Sequence, residues 1–501
     1  MQNAESDILI IGGGINGMGI AADAAGRGLS VLVCEKNDIA SATSSASSKL
    51  IHGGLRYLEN YEFNLVRKAL QERKNLLRLA PHLISPLEFV LPNEAHLRSS
   101  WLIRIGLFLY DHLIFDSSLP SSKKIDLAHD IRGHALNAKF KIGFSYFDCR
   151  TDDARLVILN ALSAKENGAV ILPRTEFISA DYENKKWTVL LKNTTTQKIT
   201  THYANILVNA TGPWIAETQK KSIHIKNNIL INQVKGSHIV VPKLYDGDFA
   251  YILQAPDKRV VFAIPYENDF TLIGTTDVAC SDNLDDIKIS TEEESYLLGI
   301  INAYFKKTIS RSNIIWSFSG VRSLQKDTEK KLSSITRDYK VDFMSDPPLL
   351  TVISGKLTTY RCLAKDAVDQ FRLIFPNMKF SQTLLTPLPG GDLKNKNFNL
   401  FYKQFCNEYS WLPEKIAIRY ARNYGSRVSL LLKNMHCIQD LGEDFSHGLY
   451  ENEVNYLMQY EWAQSSSDIL WRRSKLGLYF SKDEIKKLEL WISNHSERLV
   501  R

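Results

Sequence analysis

A glycine-rich turn between two apolar runs is the feature that most constrains how this chain folds. From Asp7 the sequence reads DILIIGGGINGMGIAADAAGRGLSVLVCEK, with an alanine-rich stretch between the turn and the second apolar run. This order predicts a β-strand, an α-helix and a second β-strand. Gly12 allows the sharp turn, Gly14 lets the backbone approach a pyrophosphate, and Gly17 lets the helix pack on the sheet. The helix N-terminus adds amides and the positive end of its dipole.

A carboxylate at the end of the second strand narrows the choice of dinucleotide ligand. Glu35 follows the glycines by about 20 residues, where a carboxylate accepts hydrogen bonds from both ribose hydroxyls of an adenosine. It would repel a 2′-phosphate, which disfavours NADP. Glycine-rich turns also serve packing, but the strands, the helix and Glu35 together favour a dinucleotide site. FAD and NAD both remain open at this point, and Gly26 and Gly28 are expected to end the helix.

Composition excludes several classes of protein. With 501 residues, 44% hydrophobic and 23% charged, the chain can bury a large core, and its length favours about two to four domains. The balance of 62 Lys and Arg against 55 Asp and Glu gives a net charge of +7, which suits acidic ligands or anionic lipid and is too diffuse for nucleic acid. Six cysteines without a CxxC pair indicate reduced thiols and no structural metal.

One apolar segment raises the question of a membrane. Residues 101–115 (WLIRIGLFLYDHLIF) fall short of the roughly 20 residues of a spanning helix, so they can lie on a membrane but not cross it. Burial in the core explains them equally well. Acidic Glu5 and Asp7 precede the first apolar run, so we expect no export signal. Candidate lipid-facing cations, for which a solvated basic surface is the simpler explanation, are Arg98, Arg104, Lys220, Lys221 and Lys226.

The segment after the dinucleotide unit points to a family. Residues 42–63 read ATSSASSKLIHGGLRYLENYEF, and here the chain closely resembles the FAD-dependent glycerol-3-phosphate dehydrogenases. Two departures from the family pattern are Ser323, where proline is expected, and Ser354, where glycine is expected. Further matches span nearly the whole length: NATGPW (209–214), KGSHIVVP (235–242), GTTD (274–277), SGVR (319–322), TRDY (336–339), GKLTTYR (355–361) and LGEDF (441–445).

The resemblance implies FAD as the cofactor and no metal. Hydroxyls of residues 43–48 would contact the diphosphate and ribityl portions, ATGPW would follow a strand that returns to the nucleotide, and GKLTTYR would close over the pyrimidine side of the flavin. The expected cofactor-binding residues are Gly12, Gly14, Gly17, Glu35, Thr43, Ser44, Ser45, Lys49, Ala210, Gly212, Gly355, Lys356, Leu357 and Thr358.

The implied reaction oxidises sn-glycerol 3-phosphate to dihydroxyacetone phosphate, with hydride passing to flavin N5 and a proton to a base. His52 is the first candidate base and His238 the second, although a lone histidine usually has a structural role. Lys356 would stabilise the reduced flavin, or else pair with a buried carboxylate. The expected catalytic residues are His52, His238, Arg322 and Lys356, and the expected substrate-binding residues are Arg56, Tyr57, Arg322, Arg337 and Thr359.

The predicted fold class is α/β (α+β overall), with a Rossmann-like FAD-binding domain, an antiparallel-sheet substrate domain and a C-terminal helical domain. The predicted boundaries are 1–80 with 145–235 and 315–388 for the FAD-binding domain, 81–144 and 236–314 for the substrate region, and 389–501 for the helical domain.

Local patterns predict individual elements. Alternation predicts strands at 187–193, 237–242, 258–266 and 269–277, which we assign to the substrate-domain sheet. Ser290 and Glu293 form a capping box that starts a helix near Thr291. Helical spacing marks 415–425, 452–463 and 482–499.

The expected partners are the substrate, a membrane quinone that receives the electrons, an anionic membrane surface and a second copy of the chain, with no nucleic acid. We therefore expect a peripheral protein on the cytoplasmic face of the cell membrane. The alternatives are a glycerol-3-phosphate oxidase that uses oxygen, an amino-acid oxidase, and a non-catalytic flavin-binding membrane adaptor. An NAD-dependent alcohol dehydrogenase is excluded only by the resemblance beyond Ala42.

Overall fold

The protein is described here by a computed structural model that covers residues 4–94, 99–223, 229–257, 259–280, 282–326 and 337–495. Its strands are β1 (Ala4–Ile11), β2 (Val31–Cys34), β3 (Leu50–Ile51), β4 (Ser85–Asn93), β5 (Lys123–Asp126), β6 (Ile142–Arg150), β7 (Val170–Leu172), β8 (Thr175–Glu183), β9 (Lys186–Asn193), β10 (Ile199–Asn209), β11 (Ile231–Pro242), β12 (Phe249–Gln254), β13 (Val260–Tyr266), β14 (Phe270–Gly274), β15 (Val278–Ala279), β16 (Trp316–Gln325), β17 (Lys340–Ser345) and β18 (Pro348–Ile353). Its α-helices are α1 (Ile15–Gly26), α2 (Phe63–Leu79), α3 (Ser100–His112), α4 (Asp153–Glu166), α5 (Ile215–Thr218), α6 (Thr291–Tyr304), α7 (Tyr360–Gln370), α8 (Phe398–Glu408), α9 (Glu414–Tyr424), α10 (Val428–Leu431), α11 (Glu451–Glu461) and α12 (Lys482–His495).

The first sheet contains the predicted dinucleotide unit. Its described strands run in the order β17-β18-β10-β1-β2-β7, and all neighbours from β18 to β7 are parallel. Helix α1 connects β1 to β2 and ends at Gly26, and Gly28 has a φ of 91°. The predicted Rossmann-like fold is therefore confirmed.

One strand was assigned to the wrong sheet. Residues 187–193 form β9, which pairs with β8 and β10 in the first sheet and not with the substrate-domain strands. Alternation identifies a half-buried strand but carries no information about its partners. A tight turn after β9, in which the Asn193 and Lys198 backbones are hydrogen-bonded, returns the chain beside it as β10 and thereby selects the sheet.

The second sheet carries the other predicted strands. Its order is β15-β11-β14-β13-β12-β4-β6-β3, with β16 beside β11 and β5 beside β6. All of these pairs are antiparallel except β4 with β12, which are parallel. The segments at 237–242, 258–266 and 269–277 give β11, β13 and β14, although Lys258 lies outside the described residues. The domain boundaries stay a prediction.

The predicted helices are found, although residues 496–499 of the last predicted helix lie outside the described residues. Helix α6 begins at Thr291, with both hydrogen bonds of the Ser290–Glu293 capping box formed. Helices α9, α11 and α12 correspond to the three helical patterns in the last hundred residues, and they bury their apolar faces in a shared core. This part of the chain is the helical domain that the sequence predicts.

The carboxyl ends of three parallel strands meet at one edge of the first sheet. Ile11 of β1 pairs with Asn209 of β10, which in turn pairs with Thr351 of β18. The loops that follow these strands therefore lie side by side. In open α/β sheets this edge is where ligands bind.

Buried ion pairs attach the C-terminal helical part to the first sheet. Asp38, in the loop after β2, accepts hydrogen bonds from Arg473 at 2.6 and 2.8 Å and also from Arg472. Asp38 is 1% exposed and the Arg473 side chain is fully buried. Breaking such a pair leaves a charge in the interior without a counterion, so the contact has a large effect on stability.

We predict that Asp38→Asn destabilises the protein by about 3 to 5 kcal/mol, because the fully buried guanidinium of Arg473 loses the carboxylate bonded to it, whereas Arg472 keeps Asp468. Urea denaturation followed by circular dichroism measures the change. The matched control is Glu5→Gln, since Glu5 pairs with Lys186 on the surface, where an ion pair is worth about 0 to 1 kcal/mol. Equal shifts in the two variants would contradict the prediction.

Candidate active site

A cavity of about 1310 Å³ opens at the edge where the parallel strands end. Its walls come from the loops after β1, β10 and β18, from residues 41–63, from α3 and from strands of the second sheet. The predicted site residues that line it are Gly12, Gly14, Glu35, Thr43, Ser44, His52, Arg56, Tyr57, Ala210, Gly212, Arg322, Arg337, Gly355, Lys356, Leu357 and Thr358.

Five predicted site residues do not line this cavity. Lys49 Nζ points away from it and donates to Asp153 Oδ1 at 2.7 Å. Ser45 Oγ donates to the Ala42 carbonyl at 3.2 Å, and Thr359 is buried at the start of α7. The segment after the dinucleotide unit therefore divides its polar groups between the cavity and the protein interior. The five are Gly17, Ser45, Lys49, His238 and Thr359.

The glycine turn is shaped by close backbone contacts. Gly12 has a φ of 111°, and a Cβ there would lie 2.6 Å from the Ala210 carbonyl oxygen. A Cβ on Gly17 would lie 2.0 Å from the Gly12 oxygen. Gly14 lies at the N-terminus of α1, where Ser44 Oγ accepts from the Ile15 amide at 3.0 Å. The turn fits a pyrophosphate, because bare backbone and a helix N-terminus border the cavity.

Glu35 stands at the end of β2, as predicted. Its carboxylate accepts hydrogen bonds from the amides of Gly13 and Asn37, both at 2.8 Å. Burial raises its pKa, while these hydrogen bonds and the neighbouring Lys36 oppose the rise. These contacts hold the carboxylate at the cavity wall, where it could accept hydrogen bonds from a ribose.

Lys356 presents a buried ammonium group to the cavity. Within the described parts of the chain its Nζ makes no hydrogen bond, and it lies 3.6 Å from the centroid of the Tyr57 ring. Burial lowers the pKa of Lys356, and Tyr57 opposes this change. A buried donor without a hydrogen-bond partner is costly, so the site fits an electron-rich ligand at this point.

Two arginines share one carboxylate that the sequence analysis did not single out. Arg322 donates to Asp277 Oδ1 at 2.7 Å, and Arg337 approaches Asp277 Oδ2 at 3.1 Å. The GTTD motif contained Asp277, but nothing in the pattern indicated its partners. Among the described residues, Arg56 has no ion-pair partner. The cluster therefore keeps an excess of positive charge.

The pKa of Tyr57 reports this charge. Burial alone raises the pKa of a phenol, but Lys356, Arg337 and Arg322 outweigh burial and lower it. The positive charges of these three groups therefore dominate over burial at the Tyr57 hydroxyl. Such a site attracts a dianion, and forked guanidinium groups match the geometry of a phosphate.

The two candidate bases have different environments. His52 lines the cavity, and its amide donates to Thr358 Oγ1 at 3.1 Å. Burial lowers the pKa of His52 to about 4, with Lys356 and Arg337 adding to the effect and Asp148 opposing it. The ring is therefore neutral at pH 7.

His238 is enclosed in the second sheet. Its Nε2 lies 2.8 Å from Ser48 Oγ, and its ring stacks on Phe318 with centroids 4.9 Å apart. Burial lowers its pKa well below the usual range. His238 does not itself line the cavity, whereas its partner Ser48 does, so its role as a second base stays a prediction.

Ser354, two residues before Lys356, adopts a backbone conformation that is unfavourable for a residue other than glycine, and a hydrogen bond partly offsets the free-energy cost. Ser354, where glycine was expected, has a φ of 63°, in the left-handed region. An L-residue there loses roughly 1 to 2 kcal/mol relative to the right-handed conformation. Asn16 Nδ2 donates to the Ser354 carbonyl at 3.1 Å and holds this turn. Asn16 also lines the cavity, and the sequence analysis missed it because a lone asparagine in a helix carries no signal.

Comparison with known proteins identifies the family. A family model described as FAD dependent oxidoreductase matches residues 7–359, and a second, described as C-terminal domain of alpha-glycerophosphate oxidase, matches residues 381–489. The chain belongs to the FAD dependent oxidoreductase family. The protein is thus an enzyme, and FAD is its cofactor.

Relatives of this oxidoreductase carry related names. It is 49% identical to a glycerol-3-phosphate dehydrogenase of Pseudomonas aeruginosa, over 98% of this chain and 96% of that protein. It is 46% identical to the aerobic glycerol-3-phosphate dehydrogenase of Escherichia coli, over 98% of both chains. It is also 44% identical to a D-erythritol 1-phosphate dehydrogenase of Brucella abortus, over 97% of this chain and 98% of that one. These values confirm the family that residues 42–63 indicated.

A solved structure agrees with the fold of this oxidoreductase. The glycerol-3-phosphate dehydrogenase of Bacillus halodurans complexed with FAD is 26% identical, with a TM-score of 0.76, covering 100% of this chain and 96% of that one. The L-alpha-glycerophosphate oxidase of Mycoplasma pneumoniae, at 18% identity and a TM-score of 0.59, covers 75% of this chain and 96% of its own. The second likeness concerns the fold alone.

Helix α3 gives this oxidoreductase an apolar surface beside the cavity. Trp101 is 64% exposed and Phe108 is 60% exposed, while Ile103, Leu107 and Tyr110 face the interior. The mouth of the cavity, which the sequence analysis did not locate, is bordered by Tyr61, Phe63, Leu102, Ile105 and Leu109.

Two further features of the described residues bear on contact with a membrane. No helix in the described ranges has the length and apolar character needed to span a bilayer. Among the candidate lipid-facing cations, Arg104 and Lys220 are exposed, whereas Arg98, Lys226 and the side chain of Lys221 lie outside the described residues.

We predict that Arg322→Ala retains the visible spectrum of bound FAD and raises the KM for sn-glycerol 3-phosphate by roughly 10- to 150-fold. This range corresponds to the 1.5 to 3 kcal/mol of a charged hydrogen bond. Steady-state kinetics with a dye acceptor measures the change. Arg311→Ala is the control, since Arg311 is two-thirds exposed and does not line the cavity. A normal KM in Arg322→Ala would remove Arg322 from the substrate site.

Proposed function

We propose that this protein oxidises sn-glycerol 3-phosphate to dihydroxyacetone phosphate, with hydride passing to FAD N5 and the electrons then passing to a membrane quinone. The observation that carries the proposal is the cationic cluster of Arg56, Arg322, Arg337 and Lys356, which shares one cavity with neutral His52 and the glycine turn. The names of the closely similar relatives support the same substrate.

The arginines would bind the phosphate of the substrate. Asp277 holds Arg322 and Arg337 through its two oxygens, which orients both guanidinium groups before any ligand arrives. Arg56 adds a third arginine to the lining of the same cavity. Preorganised donors of this kind lose little entropy when the ligand binds. The phosphate would thereby fix the distance of the reacting carbon from the flavin.

FAD would lie along the glycine turn and supply the hydride acceptor. Its pyrophosphate would meet the N-terminus of α1 beyond Gly14, and its adenosine ribose would meet Glu35. The buried ammonium of Lys356 would stand beside the flavin ring and stabilise added negative charge.

His52 would accept the proton of the reacting hydroxyl. The lowered pKa keeps its ring neutral across the physiological range. Hydrogen bonds between the Thr358 hydroxyl and both backbone groups of His52 hold the segment at the cavity wall. A positioned general base contributes about 10² to 10⁴ to the rate.

The apolar surface of helix α3 favours an electron acceptor that resides in the membrane. Its exposed apolar side chains adjoin the apolar mouth of the cavity, so a lipid-soluble quinone would reach the flavin without crossing water. The net charge of +7 favours an anionic membrane surface. The proposal also includes a second copy of the chain and a location on the cytoplasmic face of the membrane.

Anaerobic spectroscopy tests the reaction. We expect the purified protein to show a flavin spectrum that bleaches when sn-glycerol 3-phosphate is added and recovers when a quinone analogue follows. Recovery with air alone would favour the oxidase. Bleaching only by D-erythritol 1-phosphate would move the substrate toward that of the Brucella relative. A flavin that no polyol phosphate bleaches would overturn the proposed reaction.

We predict that Phe108→Asp weakens sedimentation with vesicles of phosphatidylglycerol and phosphatidylethanolamine by about tenfold or more. The substitution removes a large apolar group, worth about 1.5 to 3 kcal/mol when buried, from the exposed face of α3. Leu490→Asp is the matched control, because Leu490 is 65% exposed on α12. Equal binding by the two variants would exclude α3 as the lipid-binding surface.

A further inference from the structure

The inner face of α3 is hydrogen-bonded to the segment that carries the proposed base. Tyr110, which is 2% exposed, accepts a hydrogen bond from the Gly53 amide at 2.9 Å through its hydroxyl oxygen. Gly53 directly follows His52, and a Cβ on Gly53 would lie 2.6 Å from that hydroxyl and 2.6 Å from Leu70 Cδ2. The backbone beside His52 is thus pressed against α3 with no space to shift toward it.

A buried carboxylate holds the Tyr110 hydroxyl in this orientation. Tyr110 donates to Asp148, whose two oxygens lie 2.8 and 2.7 Å away. Burial and, to a smaller extent, the negative charge of Asp148 raise the pKa of Tyr110 well above its usual range. The hydroxyl therefore stays protonated. Asp148 is 1% exposed, and its Oδ1 forms an ion pair with Arg73 Nη1 at 2.8 Å. Because the hydroxyl donates its hydrogen to Asp148, its lone pair is directed to the Gly53 amide.

The opposite side of the segment is held by a different part of the chain. The Thr358 hydroxyl lies 3.1 Å from the His52 amide and 3.3 Å from the His52 carbonyl oxygen. His52 and Gly53 are therefore held between the loop after β18 and helix α3. Loss of either contact would free the imidazole to move relative to the cavity.

We propose that Tyr110, held by Asp148, is a positioning residue that fixes the His52 segment for proton transfer. The inference rests on the proposed function, because it takes His52 as the base. The contact is specific, since it uses one hydroxyl and one backbone amide. Removal of the hydroxyl leaves the Gly53 amide with only Asp148 Oδ1 at 3.4 Å, which is a poor hydrogen bond.

The test compares Tyr110→Phe with Tyr245→Phe in the FAD-loaded protein. Tyr245 is also buried, and its hydroxyl lies 2.9 Å from the carbonyl oxygens of Phe249 and Ala263, in the second sheet and outside the cavity lining. Both variants therefore lose one buried hydroxyl. Hydrogen exchange of peptides that contain Gly53 reports on the segment, and anaerobic stopped-flow reports on the limiting rate of flavin reduction.

We expect Tyr110→Phe to accelerate exchange at Gly53 and to lower the limiting rate of flavin reduction by about tenfold or more, because a displaced base transfers the proton less well. The concentration of substrate that gives half the limiting rate should change less than about twofold, since the arginines are untouched. Tyr245→Phe should change neither exchange at Gly53 nor the rate. His52→Ala gives the rate expected when the base is absent.

Unchanged exchange at Gly53 in Tyr110→Phe would overturn the inference, as would an unchanged rate or an equal loss in Tyr245→Phe. Failure of the proposed function looks different. In that case the wild-type flavin does not respond to sn-glycerol 3-phosphate, and the exchange measurement still decides whether Tyr110 holds the segment.

Discussion

The close approach of the loops after β1 and β10 is the contact on which the site depends. Because Ile11 and Asn209 pair in register, Gly12 and Ala210 meet with no space for a side chain. That contact aims the N-terminus of α1 into the cavity and brings the loop after β18 alongside. Every proposed role for the cofactor and the substrate assumes this arrangement of three strand ends.

Charge is concentrated in the site and only partly neutralised. Asp277 orients two arginines, but one carboxylate cannot balance them together with Arg56 and Lys356. Burial keeps His52 neutral and the same field adds to this effect, while at Tyr57 the field outweighs burial and lowers the pKa. A dianionic substrate would offset the excess of positive charge.

Helix α3 belongs to two environments. Its outer face exposes apolar side chains, and its inner face carries Tyr110, which contacts the backbone beside His52. Because the Tyr110 hydroxyl is hydrogen-bonded directly to the Gly53 amide, a displacement of α3 would also displace the backbone beside His52. The C-terminal helical part contacts the loop that follows Glu35, where Arg473 donates two hydrogen bonds to Asp38.

The sequence by itself determined the dinucleotide unit, the family, the cofactor and many of the residues at the cavity, because their signals are local. Spacing of glycines, the capping box at Ser290 and the carboxylate of Glu35 depend on neighbours a few residues apart. Only the tertiary structure decided the sheet of β9, the burial of His238 and Lys49, and the contacts of Asp277 and Tyr110. Those features join residues distant in the chain, and a sequence pattern does not specify which distant groups will meet.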